Sequence, residues 1–102
     1  MSNEDEAHVE ANLAVIRVYL RSQFEGFQLT DKSEGSFGHL FTVTYIATAT
    51  QYKLKVSGPR VSDLRNTPER IKRQLDLDNV AGKMRAMENG RYFPWGFGSQ
   101  AY

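Results

Sequence analysis

Two histidines, a close pair of aspartates and two groups of basic residues are the parts of this 102-residue chain whose types could do chemistry. Metal binding would need convergent ligands. His8 lies in His8-Val9-Glu10, without a second imidazole four residues on, which a helix needs to aim two ligands at one ion. His39 lies far from it in the chain. There is no cysteine, which removes thiolate zinc sites, thiol nucleophiles and disulfides. Asp76 and Asp78 could share a proton or hold magnesium. Two residues apart on a helix, however, their side chains diverge, so the pair reads as a solvated face or a cap. Gly35-Ser36-Phe37-Gly38 precedes a strand rather than a helix and is too short to cradle a phosphate. No nucleophile elbow, P-loop or dinucleotide fingerprint occurs. The expectation is a protein that is not an enzyme, with no catalytic residue, no metal ligand and no cofactor.

Binding surfaces are more legible. Net charge is +1, with seven acids against three bases in residues 1–35 and eight bases against five acids in residues 60–91. Lys53 and Lys55 alternate along a strand, beside a strand carrying Thr42 and Thr44. Arg70, Lys72 and Arg73 cluster at the start of a helix, with Arg60 and Arg65 before it. These bases are the candidate nucleic-acid contacts. Against that use, the Thr/Lys sheet face carries no aromatic ring on which bases could stack.

The second surface is the end of the chain, RYFPWGFGSQAY, with Tyr92, Phe93, Trp95, Phe97 and Tyr102. Termini usually carry small polar residues, whereas aromatic residues are enriched at interfaces. Val15, Val18 and Tyr19 widen the apolar face of the first helix beyond one stripe. Tyr92, Phe93, Trp95, Phe97, Val15 and Tyr19 are therefore the candidate interface. The favoured function is a small self-associating interaction module, a homodimer or the holder of an unidentified protein partner. A nucleic-acid-binding accessory protein is the alternative, and a small-ligand-binding domain or enzyme comes third. Pro94, Gly96 and Gly98 predict an irregular path for the tail. It would dock along the second helix near Met84 and Met87, or on a second copy.

The elements that position these residues follow from periodicity. Val9, Leu13, Ile16, Leu20 and Phe24 share one helical face over residues 5–24, with Gly26 placed for a left-handed cap. Short strands follow at Phe27–Thr30, in LFTVTYIA and in YKLKVS, with DKSEGSFG and TATQ as turns. GPRVSDLRN reads as a loop. Thr67 caps a second helix whose apolar face changes direction around Leu77–Asn79, so it kinks or breaks there, with Asp78 or Asn79 capping a second piece. Phe41, Val43, Tyr45, Leu54 and Val56 should lie under Leu13, Ile16, Leu20, Ile71 and Leu75. The predicted fold is α+β: a three-stranded antiparallel sheet with two helices on one face, in the order αβββα. It would occupy residues 1–91, with residues 92–102 as an aromatic tail.

The stretches HLFTVTY, YKLKVSG, TPERIKRQL and NVAGKMR resemble a group of small uncharacterised bacterial proteins carried on mobile gene cassettes such as integrons. The resemblance covers about residues 12–88. It implies the same helix–three strands–helix fold and brings no catalytic residue with it. The element order is also that of double-stranded-RNA-binding domains. Here, though, TPERIKRQ stands where that family has a lysine-rich helix start, and Gly58-Pro59 follows the third strand. The acidic N-terminus, MSNEDEAHVE, has no apolar stretch behind it, and no run approaches the roughly 20 residues of a membrane span. A cytoplasmic protein with no membrane contact is expected.

Overall fold

Helix α1, Asn3–Gln23, forms where the apolar spacing placed it. Gly26 adopts φ +83°, the left-handed conformation that lets the chain turn after the helix. The structure is a computed structural model that describes residues 3–35 and 38–96, with side chains from residue 6. Strands β1 (Gln28–Ser33), β2 (His39–Tyr45) and β3 (Thr50–Val56) follow and pair antiparallel in sequence order.

β1 continues through Asp31, Lys32 and Ser33, which composition alone assigns to the turn. Period-two alternation persists to the end of the strand, and the β2 register carries it, pairing Leu29 with Val43, Asp31 with Phe41 and Ser33 with His39. Gly38 closes this hairpin at φ +132°, accepting a hydrogen bond from the Glu34 amide at 2.8 Å. A Cβ there would lie 1.9 Å from the Val56 carbonyl oxygen, so only glycine lets the two backbones approach.

In the β2–β3 turn Ala49 is held at φ +58°. A left-handed alanine costs roughly 1–2 kcal/mol relative to the ordinary conformation. Ala49→Gly is expected to raise stability by about 0.5–1 kcal/mol, after allowing for the greater freedom of glycine in the unfolded chain. A urea titration showing an unchanged or lower midpoint would count against that strain.

The segment after β3 departs most from expectation. GPRVSDLRN is not all loop: Gly58–Ser62 forms a short helix, α2, with Ser57 as its N-cap. Helix α3, Pro68–Leu77, starts at Thr67, whose hydroxyl accepts from the Arg70 amide, and ends as its apolar face runs out. The break at Asn79 is complete. That residue takes φ +48°, and α4, Val80–Ala86, follows as a separate helix with Val80, Ala81 and Met84 buried.

The chain then returns to the sheet. Tyr92–Trp95 is a fourth strand, β4, parallel to β3. The fold is still α+β, but the predicted three-stranded antiparallel sheet with two helices is corrected. Among the described residues it is a four-stranded mixed sheet of order β1-β2-β3-β4 with four helices. Parallel neighbours need a crossover of about a dozen residues or more, and α2 to α4 provide it. Proline at position 94 did not prevent strand pairing, because β4 lies at the sheet edge, where a missing N–H is tolerated.

All four helices bury residues against one face of the sheet. Leu13, Ile16, Leu20, Val61, Ile71, Leu75, Val80 and Met84 enclose Phe41, Val43, Leu54, Val56 and Trp95. Of the residues expected beneath the helices, Tyr45 is the exception. It is 41% exposed at the end of β2, where its ring packs against Phe27. No described helix is long and apolar enough to cross a membrane.

Candidate functional site

The sheet register sorts side chains into two faces. Opposite the helices, three rows cross the strands. One is Gln28, Thr44 and Gln51; the next is Thr30, Thr42, Lys53 and Tyr92; the last is Lys32, Leu40, Lys55 and Pro94. None of these strand residues is acidic. Three are lysines, and most of the rest are hydroxyl or amide side chains able to donate hydrogen bonds.

Thr30, Asp31, Lys32, Leu40, Thr42, Gln51, Lys53 and Tyr92 line a shallow pocket of about 360 Å³ on this face. The Lys53 ammonium lies 5.1 Å from the centroid of the Tyr92 ring, within cation–π range. The Gln51 amide side chain donates to the Thr44 hydroxyl at 3.4 Å.

This arrangement splits the basic residues singled out in the sequence. Lys53 and Lys55, both half-buried, share the face that no described helix covers. Arg70, Lys72 and Arg73 are exposed on α3, in the helical layer on the other side of the sheet, so the five do not form one patch. Lys32 joins the lysines instead. The expectation of a ring-free face is also corrected, because β4 carries Tyr92 onto it. A longer alternation in Leu29-Thr30-Asp31-Lys32 was the signal for Lys32. For Tyr92 the sequence held no signal, since its position depends on β4 pairing with β3.

The candidate interface residues also scatter. Trp95 is 1% exposed, its indole N–H donating to Asp78 at 2.8 Å and its ring stacked under the Arg60 guanidinium at 4.3 Å. Asp78, half-buried at the C-cap of α3, is thus the acceptor for the indole, which fits the cap reading of this aspartate better than a fully solvated one. Tyr19 is buried and its hydroxyl accepts from the Ala81 amide at 2.9 Å. Burial, only partly offset by that bond, raises its phenol pKa. Val15 and Phe93 are half-buried against the same core. Of the apolar residues that widen α1, Val18 alone faces out, 63% exposed. Phe97 lies outside the described residues. Of the described tail, Phe93 and Trp95 thus pack on their own domain, while Tyr92 stands on the opposite face of the sheet.

The remaining titratable groups serve the fold. His8 donates through Nε2 to the Asp63 carbonyl at 2.9 Å. Asp31 receives two bonds from the Arg17 guanidinium, each 3.0 Å, and one from His39 Nε2 at 2.7 Å. Arg17 bonding, opposed by partial burial and helped by His39, holds the Asp31 carboxyl below its usual range. The folded state therefore binds fewer protons there than the unfolded chain. The resulting stability is present above the ordinary carboxylate pKa and lost as pH falls through the lowered one. Asp31→Asn is expected to flatten the decline in unfolding midpoint between about pH 5 and about pH 2. A decline as steep as that of the wild type would exclude Asp31 as its source. Asp63, held at about 2 by Arg65, adds to the same trend. Among the described residues no three His, Asp or Glu side chains are grouped as metal ligands.

A second polar hollow, about 280 Å³, is lined by Ser57, Pro59, Arg60, Asp63, Arg65, Asn66, Arg70 and Gly96. Its charge is largely internal. Arg65 is paired with Asp63, and Arg60 donates to Gln74 while covering Trp95.

No family model, curated protein or solved structure matches the chain. The uncovered sheet face is thus read from its own chemistry.

Proposed function

We propose that the chain is a small non-catalytic interaction module that holds a negatively charged partner on the uncovered face of its sheet. The observation that carries this reading is the composition of the face: Lys32, Lys53 and Lys55 stand among Thr30, Thr42, Thr44, Gln28 and Gln51, with no acid in the three rows, and the Asp31 carboxylate that reaches the pocket is held by Arg17 and His39. A net charge of only +1 makes a one-signed face a local feature rather than a by-product of a basic chain.

Retention on a heparin column tests it. Replacing Lys32, Lys53 and Lys55 together by Glu should bring elution down to the lowest salt, with the unfolding midpoint kept. The matching reversal of Arg70, Lys72 and Arg73 should shift it less. Equal elution of the sheet-face variant and the wild type would overturn the proposal.

Self-association is the second reading. With Trp95 and Tyr19 buried within the chain, the observation that favours it is the outer edge of β1, Gln28–Ser33. It ends the sheet order with no strand beside it among the described residues, and such edges pair readily with another copy. A solution mass of twice 11.6 kDa, reduced to one copy by Thr30→Pro, would support a dimer through that edge.

A further inference from the structure

We infer that the partner on the uncovered face is single-stranded nucleic acid, with Tyr92 stacking on a base and Lys53 and Lys32 neutralising phosphates. This rests on the proposed function and adds the chemical class of the partner. Charge alone would suit any polyanion. The distinguishing feature is Tyr92, the one aromatic side chain in the three rows that cross this face. β4 places it beside Lys53, whose ammonium is 5.1 Å from the ring centroid.

An aromatic ring next to a cation offers a nucleotide both things it lacks in water, a stacking partner for the base and a counter-charge for its phosphate. The row from Thr30 through Thr42 and Lys53 to Tyr92 crosses four strands. At about 4.8 Å per strand it spans roughly 14 Å, a width on which four-stranded sheets display two or three unpaired bases. Thr42 supplies a hydroxyl between the ring and Lys32, and Gln51 an amide in the neighbouring row, both suited to base edges without demanding one sequence. A duplex presents its bases edge-on within grooves and offers nothing for Tyr92 to stack on.

The test uses the full chain and a fluorescein-labelled twelve-nucleotide oligouridylate, read by anisotropy, with heparin retention measured in parallel. Binding should weaken about 7-fold between roughly 50 and 200 mM salt if Lys32 and Lys53 each release a counterion. Tyr92→Leu should weaken the oligonucleotide by about ten-fold or more while heparin retention stays put. Lys53→Ala should reduce both, and should lower the salt slope by roughly 0.7. If Tyr92→Leu alters the unfolding midpoint, Thr42→Glu provides the second probe, setting a carboxylate mid-face without touching β4. It should abolish oligonucleotide binding.

Oligouridylate binding that ignores Tyr92→Leu, or that equals binding of inorganic polyphosphate or of a duplex of the same length, overturns this inference. In that case the anion-binding reading stands. Loss of both oligonucleotide and heparin binding in the wild type at low salt removes both.

Discussion

Trp95→Ala is expected to cost about 3–5 kcal/mol, a large part of the roughly 5–15 kcal/mol available to a domain of this size. Trp95 is among the largest fully buried side chains of the protein, 1% exposed. Three attachments end on it. Its indole N–H reaches Asp78 at 2.8 Å, its ring supports the Arg60 guanidinium at 4.3 Å, and its carbonyl accepts from the Ser57 amide at 3.1 Å. Alanine keeps only the last. The cavity would open in the core beside Val56, its strand partner, and Arg60, itself 4% exposed, would lose the surface it lies on. Trp95→Phe keeps most of the area and drops the hydrogen bond, and should cost about 1–3 kcal/mol. A chain ending at Arg91 loses β4 altogether and should unfold without a cooperative transition. Urea titrations followed by circular dichroism measure all three. A truncated chain with the midpoint of the full one would show that β4 is not part of the cooperative unit.

Asn12→Ala is the second large effect, expected at about 2–4 kcal/mol. Asn12 is fully buried on α1 and donates through Nδ2 to the carbonyls of Val61 at 2.9 Å and Asn66 at 2.7 Å. The Val61 carbonyl belongs to the end of α2 and the Asn66 carbonyl to the connection before α3, where little regular structure follows to satisfy the backbone. Water cannot replace a donor that is wholly enclosed, so each abandoned carbonyl carries a desolvation cost. His8, one helical turn earlier, holds the Asp63 carbonyl of the same connection at 2.9 Å. Together they fasten the α2–α3 connection to α1. Asn12→Leu fills the space but offers no N–H, so it should be destabilised nearly as much. A Leu variant as stable as the wild type would mean that packing, not the two hydrogen bonds, is what Asn12 supplies.

The hydrophobic pattern along the chain determined α1, the three antiparallel strands, the break before Val80 and most of the core. Each of these follows from spacing within a short window: Val9 to Phe24 at helical intervals, Phe41 and Val43 alternating with threonines, Thr67 and Pro68 at a helix start. Asn12 also left a trace, as a polar residue inside the apolar stripe of Val9, Leu13 and Ile16, the usual mark of a buried hydrogen-bonding side chain. Tertiary structure alone decided β4. YFPW has a proline and a glycine beside it, and no local pattern distinguishes it from a loose tail. Its strand conformation comes from the edge of β3, which offers Lys53 to Val56 as pairing partners thirty-nine positions earlier in the chain. The same pairing settled the surfaces. It sent Trp95 and Phe93 toward the helices and Tyr92 to the opposite side, because adjacent strand residues point to opposite faces. It likewise parted Lys53 and Lys55 from Arg70, Lys72 and Arg73, since charge counted along a chain does not say on which side of a sheet each residue lies.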